Sequence, residues 1–97
     1  MARPSLLDES VVSTWLADHT DWTRDGDMLK RHLTFANFRQ AFGFMTQVAM
    51  IAEKLDHHPE WSNVYSRVDL AITTHDAGGL TQLDLSFAEA VEAVLST

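Results

Sequence analysis

Three histidines and several carboxylates are concentrated in two short segments of this chain of 97 residues. The first is Glu53-Lys54-Leu55-Asp56-His57-His58-Pro59-Glu60-Trp61, and the second is Thr74-His75-Asp76. The unperturbed pKa of imidazole, about 6.5, keeps the neutral and the protonated form available near neutral pH. If the two segments meet in the fold, they could perform acid-base catalysis without a cysteine.

The adjacent histidines leave several interpretations open. Neighbouring residues in an extended segment point in opposite directions, so His57 and His58 rarely bind one metal ion together. The zinc-binding spacing of two histidines one helical turn apart is absent, although a metal bound by His57, His75 and a carboxylate remains an alternative. A second alternative is that His57 and His58 lie exposed in a loop and have no function. Trp61 could belong to the core or stack on a flat heteroaromatic ligand.

The polar residues around these histidines have structural explanations as well. Asp76 precedes a glycine-rich turn, where aspartate commonly forms turns, and Asp84 could be the N-cap of the last helix. Glu53 and Asp56 are three residues apart on roughly one side of a helix end, where either could orient a histidine. His75 ends a predicted strand, a place where a functional group is held rigidly.

Length, charge and composition limit the function. The chain corresponds to a single domain, residues 1–97. Fourteen acidic against seven basic residues give a net charge of −7, with no basic cluster, which argues against a nucleic-acid partner. The absence of cysteine excludes disulfides and Cys-ligated zinc. Without a signal-peptide segment or an apolar run of about 18 residues, we expect a cytoplasmic protein without membrane contact.

Local patterns predict the elements that must position the histidines. Ser5-Leu6-Leu7-Asp8 resembles a capping box that opens a first helix ending near Ala17. Its apolar side consists of Val11, Val12, Trp15 and Leu16. Asp25-Gly26 separates two strand-like segments, 22–24 and 28–35, and predicts a β-hairpin.

The longest predicted helix has an unusually wide apolar surface. One face comprises Phe38, Ala41, Phe42, Met45, Val48, Ala49 and Ala52, and Phe44, Ile51 and Leu55 widen it. Such a helix must cover a sheet and something else, for which a second subunit is one candidate. We expect Pro59 to stop this helix.

The remainder of the chain predicts further strands and a last helix. From Val64 to Thr74 the residues alternate, with Val64, Val68, Leu70 and Ile72 on one side and Tyr65, Arg67, Asp69 and Thr73 on the other. One long strand and two shorter ones are both compatible with this pattern. Residues 77–79 form a turn, and Ser86-Phe87-Ala88-Glu89 caps a final helix. The prediction is an α+β domain of order α-β-β-α-β-β-α, with an antiparallel sheet of about four strands and helices packed on one face.

These residues resemble a known family. The segment 53–61, Asn63-Val64-Tyr65, Thr74-His75-Asp76, Gly79-Leu80-Thr81 and Asp84 closely resemble the pterin-4a-carbinolamine dehydratases. The resemblance begins near Trp22 and includes residues 35–38 and 41–42, whereas the first helix has no diagnostic motif.

The resemblance implies a reaction. Family members remove water from 4a-hydroxytetrahydrobiopterin, a pterin-4a-carbinolamine, to form quinonoid dihydropterin, and so recycle the pterin of aromatic amino-acid hydroxylases. The elimination needs an acid at the departing oxygen and a base for a ring N–H proton. The resemblance implies no metal and no cofactor.

The resemblance also implies site residues. His57 and His58 would be the acid-base pair, with His58 the more central, and His75 would face them across the pocket. The substrate-binding set would be Glu53, Asp56, Pro59, Trp61 and Asp84. Some members have a basic residue where this chain has Leu83, which places any charge pairing at the pocket rim in doubt.

The implied partners are a small pterin substrate and, through the pathway, a hydroxylase. Family members form homodimers or homotetramers, and we expect one of these here. The alternative is a non-enzymatic dimerisation or assembly factor on the same fold. Animal members also serve as dimerisation partners of a homeodomain transcription factor, a role that nothing in this sequence supports.

Overall fold

A computed structural model describes residues 4–97 and confirms the predicted order of elements. The helices are α1 (Glu9–Asp18), α2 (Phe38–Leu55) and α3 (Gln82–Leu95). The strands are β1 (Trp22–Asp25), β2 (Met28–Thr34), β3 (Glu60–Val64) and β4 (Arg67–Ile72). A single 3-10 turn, His75–Ala77, lies between β4 and α3.

The four strands form one open antiparallel sheet in the order β1-β2-β4-β3. The predicted Asp25-Gly26 hairpin is confirmed, and Gly26 adopts the positive φ of 59° that this tight turn requires. The region from Val64 to Thr74 is not one strand, because the chain turns at Tyr65 (φ 56°) between β3 and β4. β3 begins at Glu60, earlier than the alternation predicts. Both faces of this edge strand are largely exposed, so its first residues show no apolar alternation from which the strand could be predicted.

One face of the sheet packs against the helices and contributes to the core. The buried strand residues are Trp22 of β1, Leu29 and Leu33 of β2, and Val68, Leu70 and Ile72 of β4. They alternate with exposed residues such as Lys30 and Asp69, which form the open face. Two details of the prediction are wrong: Val64 is exposed at the edge, and Thr73 is buried because β4 ends at Ile72.

The two predicted helix starts also need correction. Helix α1 has Asp8 as its N-cap, so Ser5 lies outside the helix. Helix α3 is capped by Thr81, whose side chain accepts from the backbone of Leu83, while Asp84 accepts from the backbone N–H of Thr81. This capping box places Ser86 inside the helix rather than at its start.

Helix α2 ends three residues after Ala52, and Pro59 is not what stops it. Its C-cap, Asp56, has the left-handed φ of 51°, and the backbone N–H of His57 reaches back to the carbonyl of Ala52 at 3.0 Å. A left-handed residue at this position ends a helix by turning the chain away from its axis. The two histidines therefore leave the helix along a defined path, before Pro59 is reached.

The wide apolar surface of α2 has two parts. Ala41, Phe44, Val48 and Ala52 are buried in the core. Phe38, Phe42 and Met50 are exposed on another side of the same helix. Within residues 4–97, no helix combines the length and apolar content needed to cross a membrane.

Candidate active site

The two histidine-containing segments meet at one cleft. The cleft has a volume of about 370 Å³, within the usual range for small-molecule sites. Its lining consists of Pro4, Asp56, His57, His58, Thr73, Thr74, His75, Asp76 and Leu83. It is formed where α2 ends, where β4 ends and where α3 begins.

His57 is the buried histidine of this cleft. Its Nε2 lies 2.6 Å from Oδ1 of Asp84, a residue 27 positions further along the chain. The Asp84 side chain is completely buried, and only a tenth of the His57 side chain is exposed. A short contact between a ring nitrogen and a carboxylate at this depth holds the imidazole in one orientation.

The surroundings of Asp84 determine where the His57 proton lies. Its Oδ2 accepts the backbone N–H of Thr81 at 2.8 Å and the hydroxyl of Thr74 at 2.9 Å. An ionised carboxylate only accepts hydrogen bonds, so the Nε2 of His57 supplies the proton of the third bond. In the neutral ring, Nδ1 is then the nitrogen that can accept a proton.

The other two histidines have carboxylate partners at the surface. Nε2 of His58 lies 2.8 Å from Oε1 of Glu53, and Nε2 of His75 lies 3.2 Å from Oε2 of Glu60. All four side chains are more than half exposed. Since side-chain order at an exposed pair is limited, these two rings are freer to reorient than His57.

Sequence reasoning missed two residues, Glu60 and Thr74. Glu60 belongs to the segment 53–61, but its contact with His75 depends on β3 pairing with β4. The sequence marks Thr74 only as the neighbour of His75, although its hydroxyl is buried against Asp84. A polar residue beside a site histidine was the available signal for Thr74, whereas Glu60 required the strand register.

The remaining predicted site residues are divided between the cleft and other places. Asp56 lines the cleft, and Leu83 lines it where a basic residue would be expected from some family members. Trp61 pairs with Leu70 on β4 and lines a different concave surface, which it shares with Asp69. Pro59 does not line the cleft either. For Pro59 and Trp61, contact with a substrate stays a prediction.

The described part of the chain offers no metal site. Among residues 4–97, no three His, Cys, Asp or Glu side chains are grouped so that they could hold a metal ion. The chemistry that the arrangement can perform with its own residues is proton transfer, since three imidazoles line one cleft and each has a carboxylate at Nε2.

Comparison with known proteins identifies the family. Residues 5–94 match the model of the pterin 4 alpha carbinolamine dehydratase family. A Rhizobium johnstonii protein, provisionally named a pterin-4-alpha-carbinolamine dehydratase, is 52% identical over 88 residues, 89% of this chain and 87% of that protein. One from Rhizorhabdus wittichii with the same provisional name is 58% identical over 76 residues, 76% of this chain and 78% of that protein.

Solved structures agree with this match. A crystal structure from Brucella melitensis, described as a transcriptional coactivator/pterin dehydratase, has a TM-score of 0.87 at 42% identity and covers 91% of this chain and 96% of that one. A pterin dehydratase-like RuBisCO assembly factor of the alpha-carboxysome has a TM-score of 0.61 at 20% identity, covering 74% and 83%, and shares the fold alone. The chain belongs to the pterin 4 alpha carbinolamine dehydratase family.

Proposed function

We propose that this protein dehydrates 4a-hydroxytetrahydrobiopterin to quinonoid dihydropterin by general acid-base catalysis. The observation that carries the proposal is the convergence of His57, His58 and His75 on one cleft, each with a carboxylate at Nε2. The family match supports the same reaction. The substrate would come from an aromatic amino-acid hydroxylase in the cytoplasm.

His57 is the proposed base. Its Nε2 is occupied by Asp84, so Nδ1 takes the ring N–H proton of the substrate. Because the ring is buried and held, no reorientation is needed before the proton moves. Asp84 acts through His57, holding the ring in the tautomer that leaves Nδ1 able to accept.

His58 is the proposed acid, and His75 binds the pterin from across the cleft. The C–O bond breaks with its electron pair on oxygen, and the proton of His58 leaves with that oxygen as water. The lone pair of the ring nitrogen forms the C=N bond as His57 takes the N–H proton. The exposed positions of His58 and His75 let both exchange protons with solvent between turnovers.

The test is the rate of dehydration of substrate generated in situ by a hydroxylase. We expect the wild type to accelerate the reaction, and His58→Ala to reduce kcat by about 10²-fold or more. His32→Ala is the matched control, because His32 is 58% exposed against 54% for His58 and also contacts a carboxylate, but lies on the open face of the sheet. Near-normal turnover by His58→Ala would show that the assignment is wrong.

We also propose that the protein is a homo-oligomer, a homodimer or homotetramer. Phe38, Phe42 and Met50 are large apolar side chains exposed on α2, and Phe38 packs against Phe42, so a second copy could cover this helix. The second candidate function, a dimerisation or assembly factor without catalysis, would use the same residues. A folded wild type without any dehydratase turnover would favour that role over the enzyme.

A further inference from the structure

We propose that Thr74 is a positioning residue that holds the Asp84 carboxylate against His57 and thereby keeps the proton of His57 on Nε2. The consequence for turnover rests on the proposed function, whereas the placement of the proton can be tested without it.

The hydrogen bonds around Thr74 can run in one direction only. Its hydroxyl lies 2.9 Å from Oδ2 of Asp84 and 2.8 Å from the hydroxyl of Thr81. Because the ionised carboxylate only accepts, the single hydroxyl proton of Thr74 goes to Asp84. Thr81 must then donate to Thr74, while its own oxygen accepts the backbone N–H of Leu83 at 3.2 Å. Every donor in this series of hydrogen bonds is therefore directed towards Asp84.

The main chain fixes the position of the Thr74 hydroxyl. The N–H of Thr74 donates to the carbonyl of Gly79 at 3.1 Å, and the N–H of Gly79 donates back to the carbonyl of Thr74 at 3.3 Å. The same Thr74 carbonyl also accepts the N–H of Ala77 at 3.1 Å. Since the backbone is held at both its donor and its acceptor, the hydroxyl is a preorganised donor rather than one recruited from a mobile loop.

Capping of α3 does not require the hydroxyl of Thr74. The capping box is complete with Thr81 and Asp84 alone. The Thr81 hydroxyl accepts a backbone N–H of the first turn, and the Asp84 carboxylate accepts the backbone N–H of Thr81. The Thr81 N–H alone would leave the carboxylate able to pivot about that bond. With the Thr74 hydroxyl as a second donor at Oδ2, the carboxylate plane is set and Oδ1 faces Nε2 of His57.

The first experiment observes the ring nitrogens of His57 by ¹⁵N NMR in the full chain. In the wild type we expect a proton on Nε2 that exchanges slowly with water, and an Nδ1 without a proton when the ring is neutral. Thr74→Val, which removes the hydroxyl and keeps the shape, should accelerate this exchange by about 10-fold or more. Thr74→Ser, which restores the hydroxyl, should return exchange to nearly the wild-type rate.

Thr73→Val is the matched control for loss of a buried threonine hydroxyl. The hydroxyl of Thr73 donates to the backbone carbonyl of Asp27 and has no bond to Asp84, so its removal should leave the exchange of the His57 proton unchanged. Equal acceleration in Thr73→Val and Thr74→Val would overturn the proposal, because the effect would then be a general loosening of the cleft.

Turnover supplies a second readout. We expect Thr74→Val to lower kcat for dehydration by about 10-fold with little change in KM, and Thr74→Ser to recover it.

A folded Thr74→Val with a slowly exchanging Nε2 proton refutes the proposal even if the wild type is an active dehydratase. If Thr74→Val does not fold, the wild type still decides: a proton on Nδ1 of neutral His57 overturns the assignment. A wild type without turnover would overturn the dehydratase function alone.

Discussion

Replacing Asp84 with asparagine should move the His57 proton from one ring nitrogen to the other. Two donors, the Thr81 N–H and the Thr74 hydroxyl, meet at Oδ2, so the amide oxygen of Asp84→Asn must occupy that position. The amide NH₂ then replaces Oδ1, 2.6 Å from Nε2 of His57. Two donors cannot share one hydrogen bond, so neutral His57 must carry its proton on Nδ1.

The expected costs differ for stability and for activity. All three hydrogen bonds to the Asp84 side chain lose their charge assistance, but the cost of burying a charge is also removed, so the net loss in the free energy of unfolding is about 1–2 kcal/mol. Catalysis loses its base, because a protonated Nδ1 cannot accept the substrate proton, and a positioned base contributes about 10²–10⁴-fold. Asp84→Asn should therefore remain folded while kcat falls by about 10²-fold or more.

Urea denaturation and dehydration kinetics measure the two costs in the same preparation. Asp69→Asn is the matched control, since Asp69 also lies 2.6 Å from a histidine, His32, but outside the cleft. It should retain turnover. A folded Asp84→Asn with nearly wild-type kcat would refute the tautomer argument, and with it the assignment of His57 as the base.

The other predictions concern the core, the surface of α2 and the acid range. Leu70→Ala should lower the free energy of unfolding by about 2–5 kcal/mol, because it removes a buried side chain at the centre of the sheet, and a loss below about 1 kcal/mol would contradict the packing. Phe42→Glu should yield a smaller species in sedimentation equilibrium at unchanged helix content, whereas an unchanged mass would place the interface elsewhere. The Arg24 guanidinium, by its hydrogen bond, holds the pKa of Glu9 below its usual value of 4.5. That pair therefore adds stability above pH 4.5, which is lost as the pH falls through the lowered pKa. Because the pair is exposed, Glu9→Gln should reduce the loss of unfolding free energy at acid pH only slightly. The difference between the variant and the wild type should be smaller still in high salt.

Local signals were sufficient for much of the fold. The Asp25-Gly26 turn and the helical spacing of 38–52 depend on residues close in sequence, and both were predicted correctly. The start of α3 was not, because Ser86-x-x-Glu89 and Thr81-x-x-Asp84 have equivalent patterns. Which of the two pairs caps the helix depends on which pair is buried in the fold. Thr81 and Asp84 are the buried pair.

The sequence singles out the three histidines of the cleft and Glu53 as a residue that could orient one of them, but not the two longer-range contacts. Of the five histidines in the chain, His57, His58 and His75 are singled out by their two family-like segments, and imidazole suits the proposed chemistry. The pairing of His57 with Asp84 spans 27 residues, and that of His75 with Glu60 depends on the register of two strands. Contacts between residues so far apart in sequence arise from tertiary packing, which local sequence patterns do not encode.

The double use of Asp84 has a consequence for how this fold can diverge. The same carboxylate closes the cap of α3 and orients His57, so selection for folding alone would retain it after activity had been lost. His58 and His75 lie at the surface with single carboxylate partners, and their replacement should cost little stability. In lineages released from catalysis, these two positions would drift first. Among proteins of this fold, the exposed histidines are thus a sharper mark of a working dehydratase than the buried aspartate.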